Sequence, residues 1–114
     1  TEQVRIAMPE INIGLYADVA GSWFLARAPG RTGLFLALTA AQLGASDALF
    51  AGLADYHVEH ARKAEVLARL QAQPWRGAFR ADGAALSRIL DDLAAPAAAP
   101  GPLRRHFDLI NRLC

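Results

Sequence analysis

Apolar residues recur at helical spacing along the second half of the chain. In residues 59–73 they fall on one face, and in residues 86–93 they follow the i, i+3, i+4, i+7 rule of an amphipathic helix. A last helix is predicted from Pro102, which suits a first turn and precedes aligned apolar positions. Residues 94–102 contain only Ala, Pro and Gly and predict a linker. The second half is therefore predicted to be helical.

Charged residues support two of these helices. Glu65 and Arg69 stand at i, i+4 spacing and predict an ion pair. Asp82 is expected to cap the helix that carries residues 86–93.

The first half of the chain is less periodic. Residues 3–8 alternate weakly between polar and apolar and predict a short strand, and residues 56–58 predict a second, brief one. Residues 14–21 are rich in Gly and small side chains and predict a loop. The fold class expected from both halves is mostly α with one or two short strands.

Three short helices are predicted after this loop. Ser22 is expected to cap the first, which Pro29 stops. Thr32 is expected to start the second, whose apolar residues surround it and predict a buried helix. Ser46 is expected to cap the third, with an acidic residue in its first turn.

Composition limits the classes of function. The chain has 114 residues, a formal net charge of +1 and 54% hydrophobic residues, which suits one small domain with a core. It has no basic stripe with interleaved aromatics for nucleic acid and no apolar run long enough for a membrane span. Cys114 is the only cysteine, so a cytoplasmic location is expected. His57 and His60 have no third ligand at suitable spacing, so no metal site is expected.

Two carboxylates stand out in the first loop. Glu10 and Asp18 lie in residues 7–22, a stretch that is otherwise uncharged and rich in small residues. Two carboxylates in unlike surroundings can divide the acid and base steps of one reaction at neutral pH. This segment is the candidate site.

The sequence around these carboxylates resembles a known family. Residues 13–27 read Ile-Gly-Leu-Tyr-Ala-Asp-Val-Ala-Gly-Ser-Trp-Phe-Leu-Ala-Arg, residues 29–39 end in Ala-Leu-Thr, and residues 45–54 read Ala-Ser-Asp-Ala-Leu-Phe-Ala-Gly-Leu-Ala. These stretches resemble the crotonase (enoyl-CoA hydratase/isomerase) superfamily, and within it the 3-hydroxyisobutyryl-CoA hydrolase branch. The resemblance is dense through residue 60 and thins to a helical pattern afterwards.

The chain departs from the family pattern at four positions. Ile11 stands where Thr is common, Ala17 and Ala26 where Pro is common, and Ala20 where Gly is common. A glycine beside the acid would let the backbone approach a substrate closely. None of these departures removes a carboxylate.

The resemblance implies the C-terminal part of a crotonase-like fold, an α/β fold built as a ββα spiral. Residues 1–58 would be the end of the core with the acidic motif, and residues 59–114 a C-terminal helical region. The chain is accordingly expected to be a fragment of a longer protein.

The resemblance also implies an activity. Glu10 would be the nucleophile or general base in the cleavage of a short-chain 3-hydroxyacyl-CoA thioester, and Asp18 would bind the 3-hydroxyl group or orient water. Ile13, Gly14 and Gly21 would contact the substrate. Coenzyme A enters as part of the substrate, with no separate cofactor, in valine catabolism. The amides that stabilise the oxyanion come from preceding segments of such folds, so this chain would carry an incomplete site.

Two alternatives remain open. The first is an enoyl-CoA hydratase or isomerase of the same superfamily. The second is a non-catalytic fragment that associates with itself, because the apolar faces of the last three predicted helices need a partner surface. A homo-oligomer is expected on either alternative, with no nucleic-acid or membrane partner.

Overall fold

Short helices make up most of the structure, a computed structural model that describes residues 3–96 and 99–114. The α-helices are α1 Gly21–Leu25, α2 Thr32–Thr39, α3 Ala45–Phe50, α4 Lys63–Ala72, α5 Phe79–Leu93, α6 Pro102–Arg105 and α7 Phe107–Leu113, and two 3-10 helices span Pro9–Ile13 and His60–Arg62. The prediction of a mostly helical chain is confirmed.

One β-bridge occurs in the described residues, and a single further hydrogen bond joins the Ala95 N–H to the His57 carbonyl at 2.9 Å. Ile6 and Leu43 form an antiparallel bridge, with N–H···O distances of 3.0 Å from Ile6 and 2.8 Å from Leu43. The strand predicted over residues 3–8 is therefore reduced to a bridge. The strand predicted over residues 56–58 is wrong, because an extended segment becomes a strand only when a neighbour pairs with it.

The predicted starts of the helices agree with the structure better than the predicted capping residues do. Helix α2 does begin at Thr32, but the hydroxyls of Ser22 and Thr32 donate backwards to the Ala17 and Pro29 carbonyls, at 3.3 and 2.6 Å. Ser46 lies inside α3, whose N-cap is a glycine. A hydroxyl that binds a preceding carbonyl no longer serves the first amides of a helix, so the expected Ser22 cap is wrong. The expected Ser46 cap is wrong because Gly44 occupies the N-cap position.

Later boundaries also shift. Helix α5 begins at Phe79, three residues before the expected cap Asp82, whose Oδ1 instead accepts from the Arg76 N–H at 3.0 Å. The single last helix expected from Pro102 is divided at His106 into α6 and α7. Residues 97 and 98 of the predicted linker lie outside the described residues.

The main core lies where the first three helices meet the last two. Its fully buried aliphatic residues are Leu25, Leu36, Leu43, Leu103 and Ile110. Helices α1 and α2 approach closely because Gly33 has no Cβ; a Cβ there would overlap the carbonyl oxygen of Leu25. The expectation that α2 is buried on most sides is only partly met, since some of its leucines remain about half exposed.

A buried carboxylate joins α3 to α6. Asp47 is 2% exposed, and its Oδ2 and Oδ1 accept from the backbone N–H groups of Leu103 and Arg104, both at 3.1 Å. These are first-turn amides of α6, which have no partner within their own helix. Gly101 leaves room for the contact, because a Cβ there would overlap the Asp47 carboxylate. Asp47 therefore caps a helix that lies more than fifty residues away in sequence.

Ion pairs hold α4 against α5. Glu65 accepts from Arg62 at 3.0 Å and from Arg69 at 3.2 Å, and Arg69 also reaches Asp92 of α5 at 3.1 Å. The predicted pair of Glu65 with Arg69 is confirmed. The hydrogen bond from Arg62 lowers the pKa of Glu65 below its ordinary value, and the same bond raises the pKa of Arg62.

This network predicts an acid-sensitive contribution to stability. Because the folded pKa of Glu65 lies below its ordinary value of 4.5, its contribution is present above pH 4.5 and is lost as the pH falls through the lower folded value. Glu65→Gln should therefore show a shallower loss of unfolding free energy over that acidic range. Urea unfolding at a series of pH values measures it. Asp55→Asn, at an exposed carboxylate, is the control and should keep the wild-type slope.

Candidate functional site

The first candidate carboxylate lies on a single turn of 3-10 helix. The helix begins at Pro9, and Glu10 is its second residue. Gly14 caps its C-terminal end in the left-handed region, with φ of 76°. Proline presets the φ of a first turn, and glycine adopts positive φ without a steric penalty. The Glu10 carbonyl accepts from the Leu15 N–H at 3.1 Å, which closes the turn.

One oxygen of the Glu10 carboxylate is buried. Glu10 Oε2 accepts no hydrogen bond from the described residues, although the residue as a whole is only partly buried. A buried acceptor without a donor costs free energy, and such atoms in native proteins call for a functional or external partner. Glu10 is therefore available to a group from outside the described part of this chain.

The second candidate carboxylate, Asp18, is exposed at the start of a tight turn. Its carbonyl accepts from the Gly21 N–H at 2.6 Å. The two residues between them have positive φ, 43° at Val19 and 63° at Ala20. Such a turn favours Gly or Asn at both central positions, and a β-branched residue there is a clear outlier. The Asp18 turn is thus strained.

The Asp18 turn packs against the start of the Glu10 helix. Gly21 is buried, and a Cβ on it would lie 3.0 Å from the Ala17 Cβ and 3.5 Å from the side chain of Met8. Met8 is the residue before the Glu10 helix. The structure therefore joins the two segments that carry Glu10 and Asp18 through one close contact.

The expected substrate-contacting residues fall in different places. Ile13 is 75% exposed, Gly14 lines an open cavity of about 560 Å³, and Gly21 is buried beneath the Asp18 turn. The cavity is almost wholly apolar and is bounded by Leu15 and Tyr16 from the loop together with side chains of α1 and α2. Contact of Ile13, Gly14 and Gly21 with a substrate stays a prediction.

Two features of this site escape a reading of the sequence. The positive φ at Val19 has no sequence signal, since valine disfavours that region. Ala20 offers a partial signal, because it occupies a position where the resembled family commonly has glycine. The apolar cavity beside Gly14 is the second feature, since its walls come from three separate segments.

The histidines do not assemble a metal centre in the described residues. Within residues 3–96 and 99–114, no three His, Cys, Asp or Glu side chains lie close enough together to hold a metal ion. His57 is 8% exposed, and neither ring nitrogen has a partner in that part of the chain. The described helices are also all too short or too polar to span a membrane.

A comparison with protein-family models shows which family the chain belongs to. The family model described as Enoyl-CoA hydratase/isomerase matches residues 1–114. The chain belongs to the enoyl-CoA hydratase/isomerase family. It therefore corresponds to part of a crotonase-superfamily fold, as the resemblance implied.

Several curated proteins with similar sequences are named 3-hydroxyisobutyryl-CoA hydrolase. The mitochondrial 3-hydroxyisobutyryl-CoA hydrolase of Xenopus tropicalis is 51% identical over 59 residues, which is 52% of this chain and 15% of that protein. The Homo sapiens protein of the same name is 48% identical over 59 residues, with the same coverage. The Rattus norvegicus protein is 44% identical over 72 residues, 60% of this chain and 19% of that protein. The aligned part is thus less than a fifth of their length.

Solved structures of the family agree in fold. An enoyl-CoA hydratase from Rhodobacter sphaeroides 2.4.1 superposes with a TM-score of 0.71 at 40% identity, covering 98% of this chain and 28% of that one. A carnitinyl-CoA dehydratase from Mycobacterium thermoresistibile gives a TM-score of 0.81 at 32% identity, covering 97% and 29%. The chain spans under a third of each of these enzymes.

The expected cytoplasmic location is wrong. The similar hydrolases from Xenopus tropicalis and Homo sapiens are named as mitochondrial proteins. The expectation rested on a single cysteine, Cys114. One cysteine excludes an intrachain disulfide, but it does not distinguish one reducing compartment from another.

The strain at Ala20 leads to a stability prediction. Ala20→Gly should raise the free energy of unfolding by about 1 kcal/mol, because glycine adopts a φ of 63° without the steric cost that a Cβ brings. Urea unfolding of the two proteins measures the difference. The matched control is Ala26→Gly, at an exposed residue with φ of −65°, which should lower stability. An equal loss at both positions would contradict the strain at Ala20.

Proposed function

We propose that the protein containing this chain hydrolyses a short-chain 3-hydroxyacyl-CoA thioester such as 3-hydroxyisobutyryl-CoA, a reaction of valine breakdown. The observation that carries the proposal is the pair of unlike carboxylates, Glu10 with a buried, unpartnered oxygen and Asp18 exposed on an adjoining turn. The names of the similar hydrolases support this substrate class and a mitochondrial location.

Glu10 is assigned the bond-making step. Cleavage of a thioester needs an oxygen nucleophile at the carbonyl carbon, and either the Glu10 carboxylate attacks directly or it takes a proton from an attacking water. Burial of Oε2 suits both roles, because a carboxylate oxygen that is shielded from bulk water and has no partner is free to interact with the reacting group. The carbon–sulfur bond then breaks, and the departing thiolate of coenzyme A takes up a proton. Where water attacks, the acid is released at once; where Glu10 attacks, a mixed anhydride forms on its carboxylate, and a water hydrolyses it to release the acid and regenerate Glu10.

Asp18 is assigned to the substrate hydroxyl or to the attacking water. Its carboxylate is exposed and forms no hydrogen bond with the described residues, so its oxygens are available as acceptors. The hydroxyl group on C3, the carbon two bonds from the thioester carbonyl carbon, is a donor that such an acceptor would orient. A substrate that lacks this hydroxyl should therefore be cleaved less efficiently.

Other parts of the site belong to the rest of the protein. Negative charge builds on the thioester oxygen during attack, and backbone amides preorganised around it would stabilise that charge. The resemblance places those amides and most of the surface for coenzyme A in preceding segments. We propose that this chain on its own holds the carboxylate half of the site and has no thioesterase activity.

A hydratase of the same superfamily is the nearest alternative. The 40% identity to an enoyl-CoA hydratase favours it, and it would add water across a carbon–carbon double bond with the thioester left intact. The deciding experiment follows free thiol released from 3-hydroxyisobutyryl-CoA and, separately, loss of the enoyl absorbance of crotonyl-CoA, each with full-length protein. Thiol release without hydration supports the hydrolase. Hydration without thiol release refutes it.

A non-catalytic, self-associating segment is the second candidate. The observation that favours it is the number of large apolar side chains in water, with Val19 90%, Phe79 94% and Leu113 77% exposed. Exposed apolar patches promote association. The isolated chain should therefore show a mass above 12.2 kDa by light scattering. A monomer at high concentration would contradict self-association.

A further inference from the structure

We propose that Gly21 is a positioning residue, which closes the strained turn after Asp18 and so directs the Asp18 carboxylate relative to Glu10. The proposal rests on the proposed function, in which both carboxylates act in one reaction. This role is separate from the substrate contact that the resemblance implies for Gly21, because it needs no contact with a reacting atom. Gly21 acts through the backbone, and its role follows from packing in the structure.

The turn after Asp18 does not form by local preference. Val19 and Ala20 both have positive φ, at 43° and 63°, a region that L-residues with a Cβ rarely occupy. Left to itself, this dipeptide would relax to negative φ and the turn would open. Backbone of this kind persists only where the surrounding structure forces it, and it clusters at sites of function.

Three contacts force the turn closed. The Asp18 carbonyl accepts from the Gly21 N–H at 2.6 Å, and the Ala17 carbonyl accepts from the Ser22 hydroxyl at 3.3 Å. Between them, Gly21 is buried with its Cα against Ala17, where a Cβ would approach the Ala17 Cβ to 3.0 Å. At that distance an alanine at position 21 would have to push Ala17 away by a few tenths of an ångström, and Ala17 is itself buried, so glycine is the residue that permits this closure without displacement.

The same closure sets the place of Asp18. The Asp18 side chain is exposed and has no hydrogen bond or ion pair with the described residues. Its direction is therefore set by its own backbone, which the turn controls. Gly21 also packs against Met8, the residue just before the Glu10 helix. The closed turn therefore holds the segment that carries Asp18 against the segment that carries Glu10.

The test uses full-length protein and thiol release from 3-hydroxyisobutyryl-CoA. Gly21→Ala should lower kcat by about tenfold, since a shift of a few tenths of an ångström is smaller than the misplacement of about 1 Å that costs about 100-fold, and it should leave KM within about twofold. Gly44→Ala is the matched control: Gly44 has negative φ and open space around its Cβ position, so kcat should not change. Gly21→Ala combined with Ala17→Gly removes the methyl group that the new Cβ would meet, and it should restore most of the lost kcat.

A double-mutant cycle separates positioning from general damage. If Gly21 acts through Asp18, then Gly21→Ala should lower kcat little further in an Asp18→Asn protein. An equal fold-loss in both backgrounds, or full activity of Gly21→Ala, would overturn the proposal. If Gly21→Ala does not fold, Ser22→Ala replaces it: it removes one closing hydrogen bond without adding an atom, and it should lower kcat about fivefold only when Asp18 is present.

The proposed function fails in a different way. Thiol release unchanged by Asp18→Asn would remove the thioesterase role of Asp18 and the positioning role together. Thiol release that falls with Asp18→Asn but not with Gly21→Ala or Ser22→Ala would refute the positioning role alone. Because the two results differ in the Asp18→Asn protein, each hypothesis can fail separately.

Discussion

Full-length protein carrying Glu10→Gln is expected to hydrolyse its thioester substrate with kcat lowered by about 1,000-fold, within the usual range for loss of a general base. The amide has nearly the shape of the carboxylate but neither accepts a proton nor attacks a carbonyl at neutral pH. Glu10 Oε2 is buried and has no hydrogen-bond partner among the described residues, so we expect no described side chain to take over its role. KM should change little, since the lost interaction belongs to the reacting step.

The matched control for Glu10→Gln is Glu59→Gln. Glu59 is exposed and lies just before the second 3-10 helix, outside the candidate site. Its amide variant should keep wild-type kcat. Steady-state thiol release measures both variants. A kcat within about threefold of wild type for Glu10→Gln would remove Glu10 from the reaction, whatever other residues do.

Asp47→Ala is expected to give the largest loss of stability, about 3 kcal/mol. The substitution leaves the N–H groups of Leu103 and Arg104 without their acceptor, and the Asp47 carboxylate is the partner that holds α6 against α3. A cavity at a position that is 2% exposed adds to the cost. Urea unfolding at neutral pH, followed by circular dichroism, measures the difference.

Two controls accompany Asp47→Ala. Asp47→Asn keeps one good acceptor of the two and should fall between wild type and Asp47→Ala. Asp108→Ala replaces an exposed aspartate in the first turn of α7 and should change stability by less than about 1 kcal/mol. Equal losses for Asp47→Ala and Asp108→Ala would show that the buried contact stabilises no more than a surface carboxylate.

Local pattern predicted much of the helical content. Helices α4 and α5 were expected because their apolar residues repeat at helical spacing, and the pair of Glu65 with Arg69 was expected from its i, i+4 separation. In these elements the information lies within one turn of the residue concerned. The ion pair between Arg69 and Asp92 was not expected, since the two residues lie on different helices.

Features that depend on distant residues could not be predicted. Asp47 reads as an ordinary first-turn acid of α3, and only the tertiary structure shows that its carboxylate caps α6. The Ser22 hydroxyl was equally ambiguous, because a serine before a helix can accept from its amides or donate to an earlier carbonyl. The competing partner is invisible in a local pattern.

The sequence supplied the candidate residues of the site, whose roles stay predictions, but it did not supply the shape of the site. Glu10 and Asp18 were selected by resemblance to the crotonase superfamily, and the family itself is confirmed. The positive φ of Val19 could not be expected, because propensity argues against it. It results from the closure of Gly21 on Ala17, a contact that is decided by space rather than by residue preference.

The loop between α1 and α2 can form its long-range hydrogen bonds only after residues 111–114 have been synthesised. The Arg31 N–H binds the Asn111 side chain at 2.7 Å, across 80 residues of sequence, and the Arg31 guanidinium binds the Cys114 carbonyl. A ribosome that adds about 5 to 20 residues per second needs about 4 to 16 seconds to make that stretch. The loop that carries Arg31 therefore spends that interval without its partners, and this part of the fold is completed only after α7 has been made.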